Sequence, residues 1–218
     1  VKVFIPIKEN SQRVSRKNFR EFSGLPLYKH TLYKLKDFDV YVDTDSEEII
    51  GEVLADEKLS HVTAYMRQPE LLGDETPVCD LIQYFSEFYC EDSDIICQVH
   101  VTSPFLTAKT LTDAEGILSG IENFDSVVSC NILQTRLWRE EDYGMCPVNH
   151  NPTKLEQTQD LPRYYEENSL FYMFYAGEIL KTGNRIGKRP YFYATSPFES
   201  HDIDTEDDWD LATILVNK

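Results

Sequence analysis

The stretch Ile5-Pro-Ile-Lys-Glu-Asn-Ser-Gln-Arg-Val-Ser-Arg-Lys-Asn18 follows an apolar opening and predicts a buried strand that runs into a basic loop. Open α/β sheets bind ligands at the carboxyl ends of their strands, which is where such a loop would lie. We interpret the loop as an anion site suited to a polyphosphate. The alternative is a solvated loop whose cations only balance nearby acids. The first twenty residues hold a single anion, Glu9, and six cations: Lys2, Lys8, Arg13, Arg16, Lys17 and Arg20.

Length and composition limit the kind of protein to which this loop can belong. The chain has 218 residues, of which 41% are hydrophobic and 12% aromatic, as expected for a single α/β domain spanning 1–218. Its 21 Lys+Arg against 38 Asp+Glu give a net charge of −17, so we expect no binding to nucleic acid or to a membrane surface. No apolar run approaches the roughly 18 residues of a membrane span.

The cysteines and the amino terminus predict the compartment. The five cysteines are scattered, odd in number and without a Cys-x-x-Cys motif, which argues against a disulfide framework and against structural zinc. The apolar opening is also shorter than the apolar region of a signal peptide. We therefore expect a cytoplasmic protein with buried free thiols.

Hydrophobic periodicity predicts that strands and helices alternate along the chain. Strands are predicted for the opening residues and for residues 40–42, 61–66, 94–99, 126–130, 169–175 and 191–194. Helices are predicted for residues 26–38, 47–57, 77–89, 110–120 and 176–182, with Thr76 as N-cap and Pro77 as first residue of the third. This alternation implies right-handed crossovers and a mostly parallel sheet with helices on both faces.

Residues 131–168 interrupt this alternation, because they contain several prolines and few periodic apolar residues. Ordered loops of this length are uncommon unless they are functional. We predict that 131–168 is an inserted dimerisation or lid segment, and that the protein is a homodimer.

The segment 199–210 holds seven carboxylates in twelve residues. Positions two apart in an extended chain face the same way, so Asp202 and Asp204 would share a face while Ile203 points into the core. Mg²⁺ commonly takes one or two carboxylates together with water and substrate phosphate, so this pair predicts a magnesium site. Thr205 would cap a last helix, with Asp208 as its capping-box partner. The alternative, that the acids only serve a helix N-terminus, is accepted for three of them: Glu206, Asp207 and Asp208.

Seven motifs occur in the same order as in the acylneuraminate cytidylyltransferases, the CMP-sugar synthetases that act on sialic acid and related sugars. The chain resembles that family over nearly its whole length. The motifs are Ile5-Pro6-x-x-x-Asn10-Ser11 with Lys17-Asn18, Arg67-x-x-Glu70, Gly73-Asp74-x-Thr76-Pro77, Thr102-Ser103-Pro104, Gln159-x-Leu161-Pro162, Asn168, and Asp202-Ile203-Asp204-Thr205.

The resemblance implies a nucleotide-diphospho-sugar-transferase-like α/β fold and a homodimer made largely through the inserted segment. It also implies transfer of CMP from CTP to the anomeric hydroxyl of an acidic sugar, with release of pyrophosphate. By similarity, the nucleotide would be bound by Lys8, Asn10, Ser11, Arg13, Lys17, Arg67, His100 and Thr102. The sugar would be bound by Gln159, Arg163 and Asn168, and magnesium by Asp202 and Asp204.

The chemistry of such a transfer agrees with the residues present. Attack of a hydroxyl on the α-phosphorus builds charge on phosphoryl oxygens, which a metal ion and a cationic loop can stabilise. We therefore assign Lys17, Asp202 and Asp204 as the catalytic residues. The sequence leaves open whether a carboxylate or a metal-bound hydroxide takes the hydroxyl proton.

Several positions depart from the common family pattern and keep other interpretations open. Lys8 replaces a frequent arginine, Arg13 a glycine, His100 a glutamine and Ser169 a glycine, so the base and the sugar can be recognised differently here. A metal-dependent glycosyltransferase that uses Asp-Ile-Asp and a nucleotide-binding homologue without catalysis remain alternatives. The sugar also stays open among sialic, legionaminic, pseudaminic and octulosonic acids.

Overall fold

Strands and α-helices alternate along the described residues, 1–10 and 14–216, of the computed structural model. The strands are β1 (Lys2–Ile7), β2 (Glu21–Phe22), β3 (Leu25–Pro26), β4 (Asp39–Thr44), β5 (Val62–Met66), β6 (Ile95–Val99), β7 (Ser126–Leu133), β8 (Trp138–Glu141), β9 (Gly144–Pro147), β10 (Tyr164–Tyr175) and β11 (Pro190–Ala194). The helices are α1 (Leu27–Lys34), α2 (Glu47–Ala55), α3 (Val78–Tyr89), α4 (Ala108–Leu118), α5 (Ala176–Thr182) and α6 (Glu206–Val216).

Seven strands form one central sheet in the order β11-β7-β10-β6-β1-β4-β5. Every neighbouring pair is parallel except the two made by β10, which runs antiparallel to both β6 and β7. The remaining strands form two small hairpins, β2–β3 and β8–β9. The predicted mostly parallel sheet is confirmed, and the carboxyl ends of β1, β4 and β6 lie along one edge.

The helices cover both faces of the sheet, as predicted. Along β1, alternate side chains enter two separate cores: Val3 and Ile5 pack with α1, α2 and α4, whereas Phe4 packs with α3 and α5. Because both faces are covered, β1 is apolar at nearly every position instead of alternating with polar residues. A third, smaller cluster around Phe22 and Trp209 joins the first hairpin to α6.

Residues 131–168 contain more regular structure than their periodicity predicted. β7 extends to Leu133, the β8–β9 hairpin follows, and β10 begins at Tyr164. Every residue of β8 is exposed, so this strand buries no alternating apolar face and leaves no period-two signal in the sequence.

The two predicted helix caps have opposite outcomes. The prediction of Thr76 as an N-cap is wrong, because Pro77 is extended, α3 begins at Val78, and the Thr76 hydroxyl donates to the Leu72 carbonyl oxygen instead. The predicted cap of α6 is confirmed, since the Asp208 amide donates to Thr205 Oγ1 and the Asp208 carboxylate accepts from the Thr205 amide. Extended backbone is the conformation that proline favours outside a helix, so Pro77 itself occupies the cap position.

Two further expectations concern the cysteines and the membrane. All five cysteines lie among the described residues and are unpaired. Within residues 1–10 and 14–216, no helix has the length and apolar character required to cross a bilayer.

Candidate active site

A cavity of about 320 Å³ lies at the carboxyl ends of β1 and β6. This first cavity is where the sequence predicted an anion site, and the basic loop forms one of its walls. Its lining consists of Pro6, Lys8, Asn10, Lys17, Asn18, Asp74, His100, Val101, Thr102 and Asp204. The structure therefore brings together six of the predicted site residues: Lys8, Asn10, Lys17, His100, Thr102 and Asp204.

Lys17 is the most constrained cation of this cavity. It opens a short 3-10 turn, Lys17–Phe19, and is only 8% exposed. Its Nζ donates to the Ile203 carbonyl oxygen at 2.6 Å and to Asp204 Oδ1 at 3.2 Å. An ammonium carries three donor hydrogens, so two protein partners leave one for another acceptor.

Asn18 ties the basic loop to the end of β1. Its Nδ2 donates to the Lys8 carbonyl oxygen at 2.8 Å. Its Oδ1 is buried and has no hydrogen-bond partner in the described part of the chain. Buried polar atoms are normally paired, so this oxygen next to the cavity is an acceptor that a ligand or water can satisfy.

Lys8 connects the basic loop with the loop before α3. Its Nζ donates to the Gly73 carbonyl oxygen at 2.9 Å and to Asp74 Oδ1 at 3.2 Å. Lys8 and Asp74 both line the first cavity. The predicted residues Ser11 and Arg13 lie outside the described residues.

Three cations of the first twenty residues form ion pairs away from this cavity. Lys2 pairs with Asp94, Arg16 with Glu48 and Arg20 with Glu206. For these three, the alternative interpretation of cations that balance nearby acids is correct. Among the described cations of this stretch, Lys8 and Lys17 are the two that line the cavity.

His100 and Thr102, just after β6, also line the first cavity. The Thr102 carbonyl oxygen accepts from the Ile203 amide at 2.9 Å, which fastens the acidic segment to the end of β6. His100 Nε2 lies 2.8 Å from Gln98 Nε2. Burial lowers the pKa of His100; the Asp202 carboxylate opposes that shift, while Arg185 and Lys17 add to it.

The acidic segment separates the first cavity from a second one of about 590 Å³. Ile203 is fully buried, as predicted, while Asp204 lines the first cavity and Asp202 the second. Ser103 Oγ donates to Asp202 Oδ1 at 3.3 Å. Two carboxylates thus lie on either side of a buried isoleucine, at the boundary of both cavities.

The second cavity is built at the ends of β7 and β11. Asn168 supports it from β10, because its Nδ2 donates to Asn131 Oδ1 at 3.1 Å and to Thr195 Oγ1 at 2.7 Å. Gln159 and Arg163 are both exposed and line neither cavity. The lining residues are Asn131, Ile132, Leu133, Glu166, Ala194, Thr195, Pro197, Ser200, His201 and Asp202.

Most of these lining residues were missed by the sequence analysis. A signal existed for two of them: Asn131 and Thr195 each come directly after a predicted strand, 126–130 and 191–194. β7 and β11 are parallel, so residues at their carboxyl ends meet at one edge of the sheet. No sequence signal pointed to Glu166 or His201.

Arg67 lies outside the lining of both cavities. Its Nε donates to Asp43 Oδ1, its Nη2 donates to the Asp43 carbonyl oxygen at 3.3 Å, and both side chains are at most 1% exposed. Arg67 Nη1 has no hydrogen-bond partner among the described residues, while the Tyr65 hydroxyl is a further neighbour of the Asp43 carboxylate. Nucleotide binding by Arg67 therefore stays a prediction, and the contacts seen are those of a buried ion pair.

The carboxylates of Asp202 and Asp204, at the boundary between the cavities, are ligands of the kind that magnesium binds. Among residues 1–10 and 14–216 there is no cluster of three or more His, Cys, Asp or Glu side chains that could hold a metal by itself. Mg²⁺ requires fewer protein ligands, because water and substrate phosphates complete its coordination. Magnesium binding by Asp202 and Asp204 therefore stays a prediction.

A mostly parallel sheet with helices on both faces and a cation-lined cavity at its carboxyl edge defines an open α/β protein that binds an anionic ligand at that edge. The chain belongs to the cytidylyltransferase family, whose sequence pattern it matches over residues 3–210. The family resemblance inferred from the seven motifs is confirmed.

Similar proteins agree with this assignment. The chain is 32% identical to N-acylneuraminate cytidylyltransferase A of Danio rerio over 220 residues, which cover 97% of this chain and 50% of that protein. It is 27% identical to the N-acylneuraminate cytidylyltransferase of Streptococcus agalactiae serotype V over 216 residues, which cover 94% and 50%. The chain thus spans about half the length of the curated relatives it matches.

A solved structure confirms the fold. CMP:2-keto-3-deoxy-manno-octonic acid synthetase complexed with CTP superposes with a TM-score of 0.68, covering 99% of this chain and 97% of that one. The two sequences are 13% identical, so this likeness concerns the fold alone.

Proposed function

We propose that the protein transfers CMP from CTP to a hydroxyl group of an acidic sugar and releases pyrophosphate. The observation that carries the proposal is the position of Lys17, a nearly buried cation that lines a cavity at the carboxyl edge of the sheet. Family membership and the names of the similar proteins support the choice of nucleotide and of acceptor.

The first cavity would hold the triphosphate. Lys8 and Lys17 supply positive charge to its lining, and Asn10 adds an amide. In-line attack on the α-phosphorus increases charge on the phosphoryl oxygens, and fixed cations in a partly dehydrated cavity stabilise that charge without reorganisation. Lys17 is held by Ile203 and Asp204 before any ligand arrives, so its ammonium is already oriented.

Asp202 and Asp204 would hold a magnesium ion together with phosphate oxygens of the substrate. Such an ion, when bound, supplies additional positive charge to the α-phosphoryl group. Asp204 would also hold Lys17 in place, because the two side chains contact each other.

The second cavity would hold the sugar acid. It adjoins the first cavity at the acidic segment, so a hydroxyl group of a bound sugar can approach a phosphate from across Ile203. Asn168 holds the Asn131 and Thr195 side chains that offer polar contacts to such a substrate.

The homodimer is part of the same proposal. The segment 131–168 exposes several large apolar side chains, among them Trp138 at 46%, Tyr143 at 101% and Leu155 at 91%. A second copy of the chain would cover such a surface. We expect a dimer in sedimentation at micromolar concentration; a monomer under those conditions would leave a mobile lid as the use of this segment. The five unpaired cysteines support a reducing compartment such as the cytoplasm.

The deciding experiment measures pyrophosphate release from CTP with sialic, legionaminic, pseudaminic and octulosonic acids in turn. Mass spectrometry would identify the CMP-sugar formed, and UTP and ATP serve as controls for the nucleotide. We expect release with CTP and at least one of these acids. CTP binding without turnover over the whole panel would contradict the proposal and favour a nucleotide-binding homologue.

A further inference from the structure

We propose that Arg185 and Gln98 are positioning residues that fix the proton of His100 on Nδ1, so that His100 offers an N–H donor to an acceptor atom of the nucleotide. The position of the proton follows from the geometry of three side chains. Only the identity of the ligand rests on the function proposed above.

The three side chains form a chain of contacts that ends at the first cavity. Gln98 is fully buried on β6, and its Oε1 accepts from Arg185 Nη1. Its Nε2 lies 2.8 Å from His100 Nε2. Arg185 comes from the loop between α5 and β11, where its guanidinium carbon lies 3.5 Å from the centre of the Tyr172 ring.

Only one assignment of donors and acceptors satisfies the contacts among Arg185, Gln98 and His100. Arginine carries only donors, so the Gln98 amide must present its oxygen to Arg185. The Gln98 NH₂ group then faces His100, and two N–H groups cannot form a hydrogen bond with each other. His100 Nε2 must therefore be the acceptor, which places the single proton of the neutral ring on Nδ1.

The charged groups around His100 are consistent with a neutral ring. Burial and the cations Arg185 and Lys17 oppose the imidazolium, while Asp202 and Asp204 favour it. The direct contact with the Gln98 amide group adds a steric and electrostatic reason against a proton on Nε2.

The Nδ1 proton is available to a ligand. His100 lines the first cavity, and its Nδ1 has no side-chain hydrogen bond within residues 1–10 and 14–216. CTP offers acceptors of two kinds, the ring nitrogen and carbonyl of cytosine and the phosphate oxygens. A donor of fixed polarity at this wall would favour ligands that place either kind of acceptor there.

The first test observes the proton directly. Long-range ¹H–¹⁵N correlation spectra of labelled protein distinguish the two neutral tautomers from imidazolium, and the chain has five histidines to resolve. The His100 signals are those that disappear in a His100→Gln variant. We expect the Nδ1–H tautomer at neutral pH; an Nε2–H tautomer or an imidazolium would overturn the proposal.

Two variants test the chain of contacts. In Gln98→Glu, the carboxylate can accept from both Arg185 and His100, so a proton should appear on Nε2. In Arg185→Met, the Gln98 amide is released and can rotate, so a mixture of tautomers should appear. An unchanged His100 spectrum in a folded sample of either variant would contradict the proposal. Should Gln98→Glu not fold, the wild-type spectrum and Arg185→Met still decide it.

The last experiment tests whether His100 contacts the nucleotide. Titration with CTP should shift the His100 signals, and Gln98→Glu should raise the CTP dissociation constant about tenfold, the effect of losing one hydrogen bond to a ligand. Parallel titrations with cytidine and with pyrophosphate distinguish a contact with the base from one with phosphate. Unchanged His100 signals in CTP-saturated protein would overturn the nucleotide contact. Absence of any CTP binding to the wild type would instead count against the proposed function and leave the tautomer result intact.

Discussion

Two ion pairs lie at the same edge of the sheet and differ in what surrounds them. Arg67 and Asp43 are enclosed at the ends of β5 and β4, with side chains 1% and 0% exposed. Lys17 and Asp204 lie beyond the end of the neighbouring β1, with side chains 10% and 37% exposed, and both line the first cavity. The first pair has no solvent beside it, whereas the second faces a space that can hold a ligand.

The difference teaches that an ion pair at the ligand-binding edge is not by itself evidence for a site. Removing one partner of an enclosed pair leaves an uncompensated charge inside the protein, which costs stability. Removing one partner of a pair beside a cavity leaves a charge that water can reach, so the fold loses little and a bound ligand loses a contact. Stability and activity should therefore separate the two pairs.

The largest expected effect is on the enclosed pair. Asp43→Ala leaves the Arg67 guanidinium buried without a carboxylate, so we expect the free energy of unfolding to fall by about 3–5 kcal/mol. Urea denaturation followed by circular dichroism measures this change. A loss below about 1 kcal/mol, the range of exposed pairs, would remove the distinction between the two pairs.

A double replacement serves as its control and tests the predicted role of Arg67. Asp43→Leu combined with Arg67→Met removes both charges, and apolar replacement of a buried pair is often neutral or stabilising. We expect this variant to fold with nearly wild-type stability. Unchanged CTP affinity in it would show that Arg67 serves the fold, whereas a loss of affinity would place Arg67 in contact with the nucleotide.

The next largest effect is expected for Asp204, the carboxylate of the ion pair that lines the first cavity. Asp204→Asn keeps an oxygen that can accept from Lys17 but removes the negative charge proposed to hold magnesium, so kcat should fall by about 100-fold or more while the melting temperature changes little. Activity should likewise require a divalent ion. Asp207→Asn, the same change at an exposed residue of α6, should leave turnover within about twofold. Full wild-type activity in chelator would contradict the metal role.

Replacing Lys17, the cation of the same pair, should have a smaller effect that falls on kcat/KM and not on stability. Lys17→Ala should lower kcat/KM by a factor of roughly 10 to 1,000, because a charge-assisted hydrogen bond is worth about 1.5–3 kcal/mol and transition-state charge adds to it. Arg16→Ala is the matched control, since that neighbouring cation pairs with Glu48 outside the cavity. Intact turnover with a lowered melting temperature in Lys17→Ala would make this pair structural, like the enclosed one.

The smallest effect is expected for Ser169, which belongs to neither ion pair. Ser169 has a φ of 57°, within a bulge of β10, and this left-handed conformation is costly for any residue except glycine. Ser169→Gly should therefore raise the free energy of unfolding by about 1 kcal/mol. Ser169→Ala keeps the strain and loses the contact with the Tyr172 hydroxyl, so it should be slightly destabilising. A stabilising Ser169→Ala would show that the backbone is not the cause.

Much of the fold could be predicted from the sequence because burial leaves a periodic signal. The β1 strand, α5 and the capping box of α6 were located from apolar spacing and from Thr205 with Asp208. The β8–β9 hairpin was not, because it buries no face of its own. The start of α3 was misplaced by one residue, since proline is favourable both at a first helical position and in the extended residue before it.

The candidate site was predictable where its residues are consecutive, and less so where the fold assembles it. The basic loop and the Asp202–Asp204 segment were identified from local composition, but their direct contact through Lys17 was not. Composition also could not distinguish Arg16 from Lys17, because the two differ only in which acid the fold places next to them. Glu166 and Thr195 join one cavity only through the pairing of β7, β10 and β11.

The contact between Lys17 and the Ile203 carbonyl oxygen joins residues that are 186 positions apart in the chain. Because synthesis proceeds from the amino terminus, the basic loop leaves the ribosome well before its partner segment. Until residue 204 has emerged, a nascent chain carries the loop without either group that orients its buried lysine. Contacts of such long range also form late, because they require closure of a long stretch of chain. The contacts that orient Lys17 thus cannot form before residues 203 and 204 have been made, and a translation arrest before residue 203 would release a chain with an unformed first cavity.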